Sequence, residues 1–234
     1  MLRSLWYWFI GSGTITLILL DVYVRSFVQS SQALDARLKR KLAGMFHLLD
    51  SPIVIKGTPP DMQQGPYIFM ANHLSLLDIP LLQVVIPGHF RGILSDHQFS
   101  WPLYGAVLKR LGHIPIPRTH FRGSLETYRN TARLIREERI HITVLPEGNR
   151  SLTGHLLRFK TLPFQFAMEA GVPIIPLYIN GTYAMKNKHS WRLQPTSLEI
   201  TFGNPIQPAD TEPRFLRDEV RAWFLNQESE HEIA

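Results

Sequence analysis

The hydrophobic pattern of the N-terminal segment predicts a first helix that seeks a membrane. Residues 4–20 contain no charged side chain, and four aromatic residues crowd the start of this run, Trp6 to Phe9. A helix of this length extends about 25 Å, slightly less than the hydrocarbon thickness of a bilayer, about 30 Å. Aromatic residues at one end are typical of a membrane interface. Because no small-x-small cleavage site follows, a membrane helix is favoured over a secretory signal peptide.

A second helical pattern follows directly and is amphipathic. Apolar residues recur at three- and four-residue spacing over residues 33–49, and basic residues occupy the other faces. The apolar positions are Leu34, Leu38, Leu42, Met45, Phe46 and Leu49, and the basic positions are Arg37, Lys39, Arg40 and Lys41. Such a helix either lies on an anionic bilayer or packs on its own domain. Its position after the apolar run favours the bilayer, so residues 1–50 are predicted to form a membrane anchor.

After Pro52 the chain alternates between short apolar runs and helical periodicity. The predicted strands are residues 53–56, 67–71, 90–94, 113–117, 141–145, 174–179 and 197–202. The predicted helices are residues 76–85, 103–111, 124–138, 162–170 and 213–227. This alternation predicts an α/β domain over residues 51–234, with a central, mostly parallel sheet and flanking helices.

Composition narrows the classes of function that this chain can have. The 234 residues include no cysteine, which excludes a disulfide scaffold, a cysteine-ligated metal site and a thiol nucleophile. The net charge is +6, of which +4 lies in residues 1–60 and +2 in the remainder. A basic excess beside an apolar segment favours an anionic membrane surface as a partner. Nucleic acid is disfavoured because the sequence shows no recognition-helix motif and no stacking strand.

Polar residues follow several of the predicted strands. In an open α/β sheet, ligands bind beyond the carboxyl ends of the strands, so these residues are candidates for a site. Asn72, His73 and Asp78 follow the second strand, and Arg118 follows the fourth. Residues 146–151 follow the fifth strand, and Lys160 precedes a predicted helix. The sequence therefore predicts a polar site at one edge of the sheet.

His73 and Asp78 have the residue types of an oriented general base. The carboxylate would fix the imidazole tautomer and stabilise the imidazolium that forms when the ring accepts a proton. Five residues is not a contact spacing on a helix. The two side chains can meet only if His73 lies on a turn and Asp78 lies within the helix that follows.

Four ordered blocks resemble the glycerolipid acyltransferases, most closely the 1-acylglycerol-3-phosphate (lysophosphatidic acid) acyltransferase type. They are Asn72 to Asp78, Gly112 to Arg118, Pro146-Glu147-Gly148-Asn149-Arg150-Ser151, and Val172 to Pro176. The resemblance extends over about residues 53–206. It implies transfer of a fatty acyl chain from acyl-CoA or acyl carrier protein to a lysolipid hydroxyl, without an acyl-enzyme. It also implies that the thioester is a co-substrate and that neither a metal nor a cofactor takes part.

The resemblance also implies roles for individual residues. His73, held by Asp78, takes the hydroxyl proton. Acceptor binding falls to residues in and near the blocks, namely Asn72, Arg118, Glu147, Gly148, Asn149, Arg150 and Lys160. A guanidinium suits a phosphate monoester, whereas Glu147 can only orient an arginine or the glycerol. Arg118, Arg150 and Lys160 also have a simpler interpretation as surface charges. The Val172 to Pro176 block is interpreted as packing.

Departures from the family pattern leave the acceptor open. Pro117 stands where the family usually has an acidic residue, and Asn149 stands where threonine is usual. Ser95-Asp96-His97 replaces a segment that often carries a basic pair. Another lysolipid, either a lysophospholipid or a lyso-aminolipid, is therefore the alternative acceptor. The expected location is the cytoplasmic face of a membrane, with the catalytic domain in the cytoplasm.

The sequence leaves three other kinds of function as alternatives. A lipid esterase or thioesterase would use His73 and Asp78 to activate water or Ser75, although the sequence has no Gly-x-Ser-x-Gly elbow. A metal hydrolase built on His73, Asp78 and Glu147 would need a further ligand. A membrane-attached binding module would need no base at all, so its activity would survive loss of the His73 imidazole.

Overall fold

The fold is built on one seven-stranded sheet. A computed structural model describes residues 1–208 and 212–233 of the chain. The strands are β1 (Ile53–Lys56), β2 (Ile68–Ala71), β3 (Phe90–Ser95), β4 (Ile114–Ile116), β5 (His141–Val144), β6 (Ile174–Asn180) and β7 (Leu198–Phe202). Their order across the sheet is β1-β7-β6-β2-β5-β3-β4, and every pair is parallel except β6 with β7. The predicted mostly parallel α/β sheet is confirmed.

Helices cover both faces of this sheet. They are α1 (Leu2–Arg25), α2 (Ser31–Leu48), α3 (Asp78–Val85), α4 (Tyr104–Arg110), α5 (Phe121–Glu138), α6 (Leu162–Ala170), α7 (Thr182–Met185) and α8 (Pro213–Ile233), with a 3₁₀ turn at Asp96–Ser100. One apolar core lies under α1 to α4, and the other lies under α5, α6 and α8. Strand β2 is buried on both faces, so alternate residues enter different cores: Phe69 the first, and Ile68 and Met70 the second.

The parallel strands end at one common edge. Strands β2 to β6 all run in the same direction, so the segments that leave β2, β3, β4, β5 and β6 meet at their carboxyl ends. This is the edge at which the sequence predicts the site.

Helix α2 packs on the α/β domain through its apolar side. All six predicted apolar positions, Leu34, Leu38, Leu42, Met45, Phe46 and Leu49, are buried in the core shared with α3 and the sheet. The interpretation that this apolar stripe lies on a bilayer is therefore wrong. The stripe covers one face of the sheet, which would otherwise expose a large apolar surface to water.

Most of the cations of α2 also have partners within the protein. Arg37 and Lys41 pair with Asp21 of α1, and Lys39 pairs with Asp35 and donates to the carbonyl oxygens of the loop after α3. Among the described residues, Arg40 has no ion pair. The basic cluster therefore mainly joins α1, α2 and the body, and its attraction to an anionic membrane surface stays a prediction.

Helix α1 keeps an exposed apolar side. It is long and apolar enough to cross a membrane by length and composition, and only 17% of its most apolar window is buried in the protein. Tyr7, Ile18 and Val22 pack inward, whereas Trp6 is 60% exposed and Phe9 is 73% exposed. A single apolar helix of this kind is weak evidence for association with a membrane.

Candidate active site

The turn after β2 brings His73 and Asp78 together. Residues 72–77 leave the strand, and Asp78 is the first residue of α3, as the spacing predicts. The Asp78 carboxylate has no exposed surface, and its Oδ2 lies 2.8 Å from Nδ1 of His73. The same oxygen accepts hydrogen bonds from the backbone N–H groups of Leu74 (2.7 Å) and Ser75 (2.8 Å). The turn is therefore folded around the carboxylate.

This arrangement assigns the imidazole tautomer. Asp78 Oδ2 is an acceptor, so the hydrogen-bond network places the proton of His73 on Nδ1 and leaves Nε2 with its lone pair. His73 is 8% exposed and lines a pocket of about 90 Å³ at the edge of the sheet. A fixed, unprotonated nitrogen that faces a pocket is the geometry that a general base requires.

The opposite oxygen of Asp78 is also engaged. Asp78 Oδ1 accepts a hydrogen bond of 2.6 Å from Oγ1 of Thr182, a residue with no exposed surface. In total the carboxylate receives four donors, counting the imidazole. A buried carboxylate needs such compensation because it has lost its hydration.

Asn72 is placed as a structural residue. Its amide donates to the carbonyl oxygen of Ile179 (2.9 Å) and accepts from the N–H of the same residue (2.7 Å). The side chain thus continues the β2–β6 ladder beyond the last residue of β2. It is 1% exposed and is not among the residues that line the pocket. The structure therefore places Asn72 beside the His73 turn as a contact between β2 and β6, and its predicted role in substrate binding stays a prediction.

Glu147 lies behind the pocket and contacts backbone. Its Oε1 accepts from the N–H of His73 (2.8 Å), and its Oε2 accepts from the N–H of Leu157 (3.1 Å). The side chain is 3% exposed, and burial raises its pKa to about 7, although the two backbone hydrogen bonds oppose this shift. Both oxygens accept from backbone N–H groups, so the structure places Glu147 in support of the His73 turn, and its predicted role in acceptor binding stays a prediction.

Two predicted cations line the pocket together with His73. They are Arg118, which follows β4, and Lys160, which precedes α6. Arg118 reaches solvent at the mouth of the pocket. Desolvation lowers the pKa of its guanidinium from the ordinary value, which is so high that the group stays a cation. Neither side chain forms an ion pair with another described residue. The pocket therefore offers positive charge to an anionic ligand.

Gly148 leaves space for Lys160. The glycine has a φ of +71°, and a Cβ placed on it would lie 2.7 Å from Nζ of the lysine. A side chain at this position would displace the ammonium from the pocket, and the backbone conformation favours glycine as well. The close approach at Gly148 is thus made by a side chain of the protein itself, and the predicted role of this glycine in acceptor binding stays a prediction.

Arg150 and Asn149 lie farther out on the same loop. Arg150 is half-buried and does not line the pocket, but its charge acts on Arg118 and on Lys186. Asn149 is exposed and has no hydrogen bond with another described residue. The structure therefore places Arg150 in the cationic surroundings of the pocket, while binding of an acceptor by either residue stays a prediction.

The alternative nucleophile is not available. Ser75 is fully buried, and its hydroxyl donates to the carbonyl oxygen of Lys186 (2.5 Å) and accepts from the N–H of Leu77 (3.3 Å). It does not line the pocket, which removes the esterase interpretation based on Ser75. Within residues 1–208 and 212–233, no group of three or more His, Asp or Glu side chains is placed to hold a metal ion.

Three further residues of the site have no counterpart in the sequence prediction. Gln98 of the 3₁₀ turn and Tyr128 of α5 line the pocket, and Thr182 supports Asp78. Gln98 and Tyr128 lie outside the four blocks. Thr182 belongs to the triplet Asn180-Gly181-Thr182, which resembles a glycosylation signal and has no functional meaning on that basis.

Comparison with known proteins gives a family match and a structural match. The acyltransferase family model matches residues 53–180. The 1-acyl-sn-glycerol-3-phosphate acyltransferase of Cocos nucifera is 30% identical over 165 residues, which are 70% of this chain and 53% of that protein. The enzyme of the same name from Haemophilus influenzae is 26% identical over 169 residues, which are 72% of this chain and 70% of that protein.

One similar solved structure is the 1-acyl-sn-glycerophosphate (LPA) acyltransferase PlsC from Thermotoga maritima. The TM-score is 0.85 at 24% identity, and the match covers 100% of this chain and 98% of that chain. At this identity the likeness shows the fold. The chain spans about half the length of the first curated relatives that it matches, 53% and 56%.

Proposed function

The chain belongs to the acyltransferase family, and from this membership we propose that it is an O-acyltransferase that acts on a lysolipid. The acceptor is 1-acylglycerol-3-phosphate, and the product is phosphatidic acid. One observation carries the proposal: Nδ1 of His73 is held at 2.8 Å by buried Asp78, and the His73 side chain lines a pocket together with Arg118 and Lys160. The proposed base and the two proposed anion-binding cations therefore line the same pocket.

In the proposed reaction His73 is the general base. Its Nε2 takes the proton from the free hydroxyl of the lysolipid as the oxygen attacks the thioester carbonyl carbon. The tetrahedral intermediate collapses with cleavage of the C–S bond, and the imidazolium returns the proton to the leaving thiolate. The ester and the free thiol are the products, and no covalent acyl-enzyme forms. Asp78 stabilises the imidazolium during the transfer.

The headgroup is proposed to lie against the two cations. A phosphate monoester carries more negative charge than a diester and presents three terminal oxygens, which suits a guanidinium and an ammonium together. This charge preference favours 1-acylglycerol-3-phosphate over a lysophospholipid with a diester headgroup. A lyso-aminolipid would bring a cation toward Arg118 and Lys160, which is electrostatically unfavourable.

The place of action and the donor are part of the proposal. Both lipids are sparingly soluble in water, and the exposed side of α1 is apolar, so the enzyme is proposed to work on a membrane surface with its catalytic domain in the cytoplasm. Acyl-CoA and acyl carrier protein share the thioester that the mechanism uses. The proposal therefore includes either molecule as the donor.

The test is an acyl-transfer assay on the full chain with each donor. Acceptors are 1-acylglycerol-3-phosphate and a lysophospholipid with a diester headgroup. We expect wild type to prefer the monoester, and we expect His73→Ala to lower kcat by about 10²- to 10⁴-fold because a general base contributes that much. His47→Ala, which removes an exposed imidazole from α2, is the matched control and retains activity.

The same assay tests, with a separate variant, whether the cations of the pocket bind the phosphate monoester. Arg118→Gln should raise KM for the monoester about 10- to 100-fold and have a much smaller effect on the diester, as expected for loss of charge-assisted hydrogen bonds. Wild type that acylates no lysolipid with either donor would refute the proposed function. Full activity of His73→Ala would refute the assignment of the base.

A further inference from the structure

The turn after β6 is built to present one hydroxyl to the catalytic turn. Strand β6 ends at Asn180, whose Oδ1 accepts from the N–H of Gly181 (2.8 Å). Gly181 has a φ of +91°, and a Cβ placed on it would lie 2.2 Å from the carbonyl oxygen of Ser197. Only glycine fits this position, and the sharp turn directs Thr182 back toward α3.

Thr182 engages the oxygen of Asp78 that does not contact His73. Its hydroxyl donates to Oδ1 at 2.6 Å, while Oδ2 receives the imidazole N–H and two backbone N–H groups. Without the hydroxyl, Oδ1 would be a buried charged oxygen without a donor, which is costly enough to rotate the carboxylate or to admit water. Either change would move the oxygen that holds the imidazole.

A second contact joins the same two segments. Ser75 Oγ donates to the carbonyl oxygen of Lys186, just after α7. On the other side of α7, Tyr183 Oη donates to the carbonyl oxygen of Leu152 at 2.8 Å. The segment from Thr182 to Lys186 therefore bridges the His73 turn and the loop that follows β5.

We propose that Thr182 is a positioning residue for the proposed acyl transfer, acting through Asp78 on the orientation of the His73 imidazole. The inference rests on the proposed function for its kinetic consequence. Its structural content, that the hydroxyl keeps the proton of His73 on Nδ1 and holds the ring, stands apart from the reaction. Thr182 touches neither the pocket nor its ligand, so it affects turnover and leaves binding unchanged.

The kinetic test compares Thr182→Val, which has nearly the same shape, with Thr182→Ser, which keeps the hydroxyl. We expect Thr182→Val to lower kcat about 10- to 100-fold, equivalent to about 1.4 to 2.7 kcal/mol of activation free energy, with KM unchanged. Thr182→Ser should recover most of kcat. Thr182→Ala is a second variant that lacks the hydroxyl but leaves space, and it should resemble Thr182→Val.

Thr131→Val is the matched control. Thr131 is buried in α5, and its hydroxyl bonds the carbonyl oxygen of Thr127 within the helix. This substitution makes the same chemical change away from Asp78, so kcat should stay within about twofold of wild type. Equal turnover by Thr182→Val and wild type would overturn the inference, as would a rise in KM at constant kcat.

A spectroscopic arm separates this inference from the proposed function. Nitrogen-15 NMR of labelled histidine reports which ring nitrogen carries the proton, and His73→Gln assigns the signal. We expect the Nδ1–H form of His73 in wild type and in Thr182→Ser, and a mixture of tautomers in Thr182→Val. If wild type acylates nothing, the proposed function fails while this signal still decides the role of Thr182. An unaltered His73 signal in Thr182→Val would overturn the inference.

Discussion

At the scale of single residues, Glu147 shows how a carboxylate can serve a site without facing it. Its two oxygens accept from the backbone N–H groups of His73 and of Leu157, so it joins the His73 turn to the loop after β5. The backbone carbonyl oxygen of His73 in addition accepts from the N–H of Ser151 (2.8 Å). The turn is thus held on both sides of His73.

The buried position of Glu147 predicts a pH dependence of folding. Burial raises its pKa to about 7 from an ordinary value of 4.5, so between these values the folded protein retains a proton that the unfolded chain has released. The contribution of Glu147 to the free energy of unfolding is therefore fully present below about pH 4.5. It falls by about 3 kcal/mol in total as pH rises through about 7. Glu147→Gln removes this slope, which urea unfolding at several pH values would measure.

The control for this measurement is Glu126→Gln, which neutralises an exposed carboxylate on α5. Its stability should follow the wild-type pH dependence. Curves for Glu147→Gln and wild type that run parallel from pH 4.5 to 7 would contradict the prediction.

Gln98 lines the pocket with an amide oxygen that lacks a hydrogen-bond donor among the described residues. This oxygen, Oε1, is buried. A substrate hydroxyl or amide N–H would complete this acceptor. We expect Gln98→Leu to raise the free energy of unfolding by about 1 to 2 kcal/mol, because it removes an unsatisfied polar atom, and to raise KM for one substrate. Calorimetry and steady-state kinetics would test both effects.

A lower melting temperature for Gln98→Leu would show that the carbonyl already has a partner in solution. A KM unchanged for both donor and acceptor would show that no substrate donor reaches it.

The residue types of the site could be predicted from the sequence where the chemistry restricts them. The long-range contacts of these side chains could not. His73, Arg118 and Lys160 line one pocket, with Asp78 buried beside His73, because the segments that leave the carboxyl ends of parallel strands converge. The sequence does not show that the amide of Asn72 pairs with a neighbouring strand, because that partner lies 107 positions away. Long-range side-chain contacts of this kind leave no local pattern.

At the scale of elements, two histidines act as hydrogen-bond acceptors inside the sheet. His113 Nδ1 accepts from the N–H of Gly92 in β3 (2.8 Å), and His141 Nδ1 accepts from the N–H of Tyr67 (3.2 Å). Both rings are buried. The His113 ring contacts β3, and the His141 ring contacts the residue just before β2. An imidazole can accept in this way only while it is neutral.

This arrangement predicts a loss of stability in mild acid. Burial lowers the pKa of His113 to about 4; attraction by Asp35 opposes the shift, and repulsion by His89 and Arg91 adds to it. Between about pH 6.5 and 4 the unfolded chain binds a proton that the folded protein excludes. The contribution of neutral His113 to the free energy of unfolding is therefore fully present above about pH 6.5. It falls by about 3 kcal/mol as pH drops toward 4.

His113→Asn isolates this contribution. The amide oxygen of asparagine reaches the position of Nδ1 and keeps the acceptor for Gly92, but it does not titrate. Its unfolding free energy should lose less between pH 6.5 and 4 than that of wild type in urea titrations. An equal loss in both proteins would mean that other groups dominate acid unfolding.

Strands were the elements that the sequence predicted best. All seven appear within about two residues of their predicted bounds, because buried parallel strands are short apolar runs between turn residues. The 3₁₀ turn Asp96–Ser100 and helix α7 were not predicted, since four or five residues hold too little periodicity. For α2 the helix was predicted correctly, but periodicity does not reveal whether protein or lipid covers an apolar stripe.

At the scale of the whole molecule, α1 is attached to the protein at both ends. Near its start, Tyr7 Oη donates to Asp50 (2.6 Å), and Trp8 Nε1 donates to the carbonyl oxygen of Trp191 (2.6 Å). Near its end, Asp21 pairs with cations of α2. These contacts fix α1 to the body along its length.

The outward side of α1 carries an apolar stripe that is interrupted around Gly13 and Thr16. Exposed apolar residues recur along the helix and the turn after it, at Leu2, Leu5, Trp6, Phe9, Leu17, Leu20, Val24, Phe27 and Val28. Helical spacing places most of them on one side, opposite the buried Ile18 and Val22. This geometry favours a helix that lies in the plane of the interface over one that crosses the bilayer.

The absence of cysteine makes this topology directly testable. Arg3→Cys and Gln29→Cys place one thiol at each end of α1 in a chain that otherwise has none. When each variant binds to preformed anionic vesicles from outside, both ends lie on the same side if the helix lies in the interface. A membrane-impermeant maleimide should then label both variants equally before and after the vesicles are opened with detergent. Labelling of one end only after opening would mean that α1 crosses the bilayer and separates from the body when it inserts.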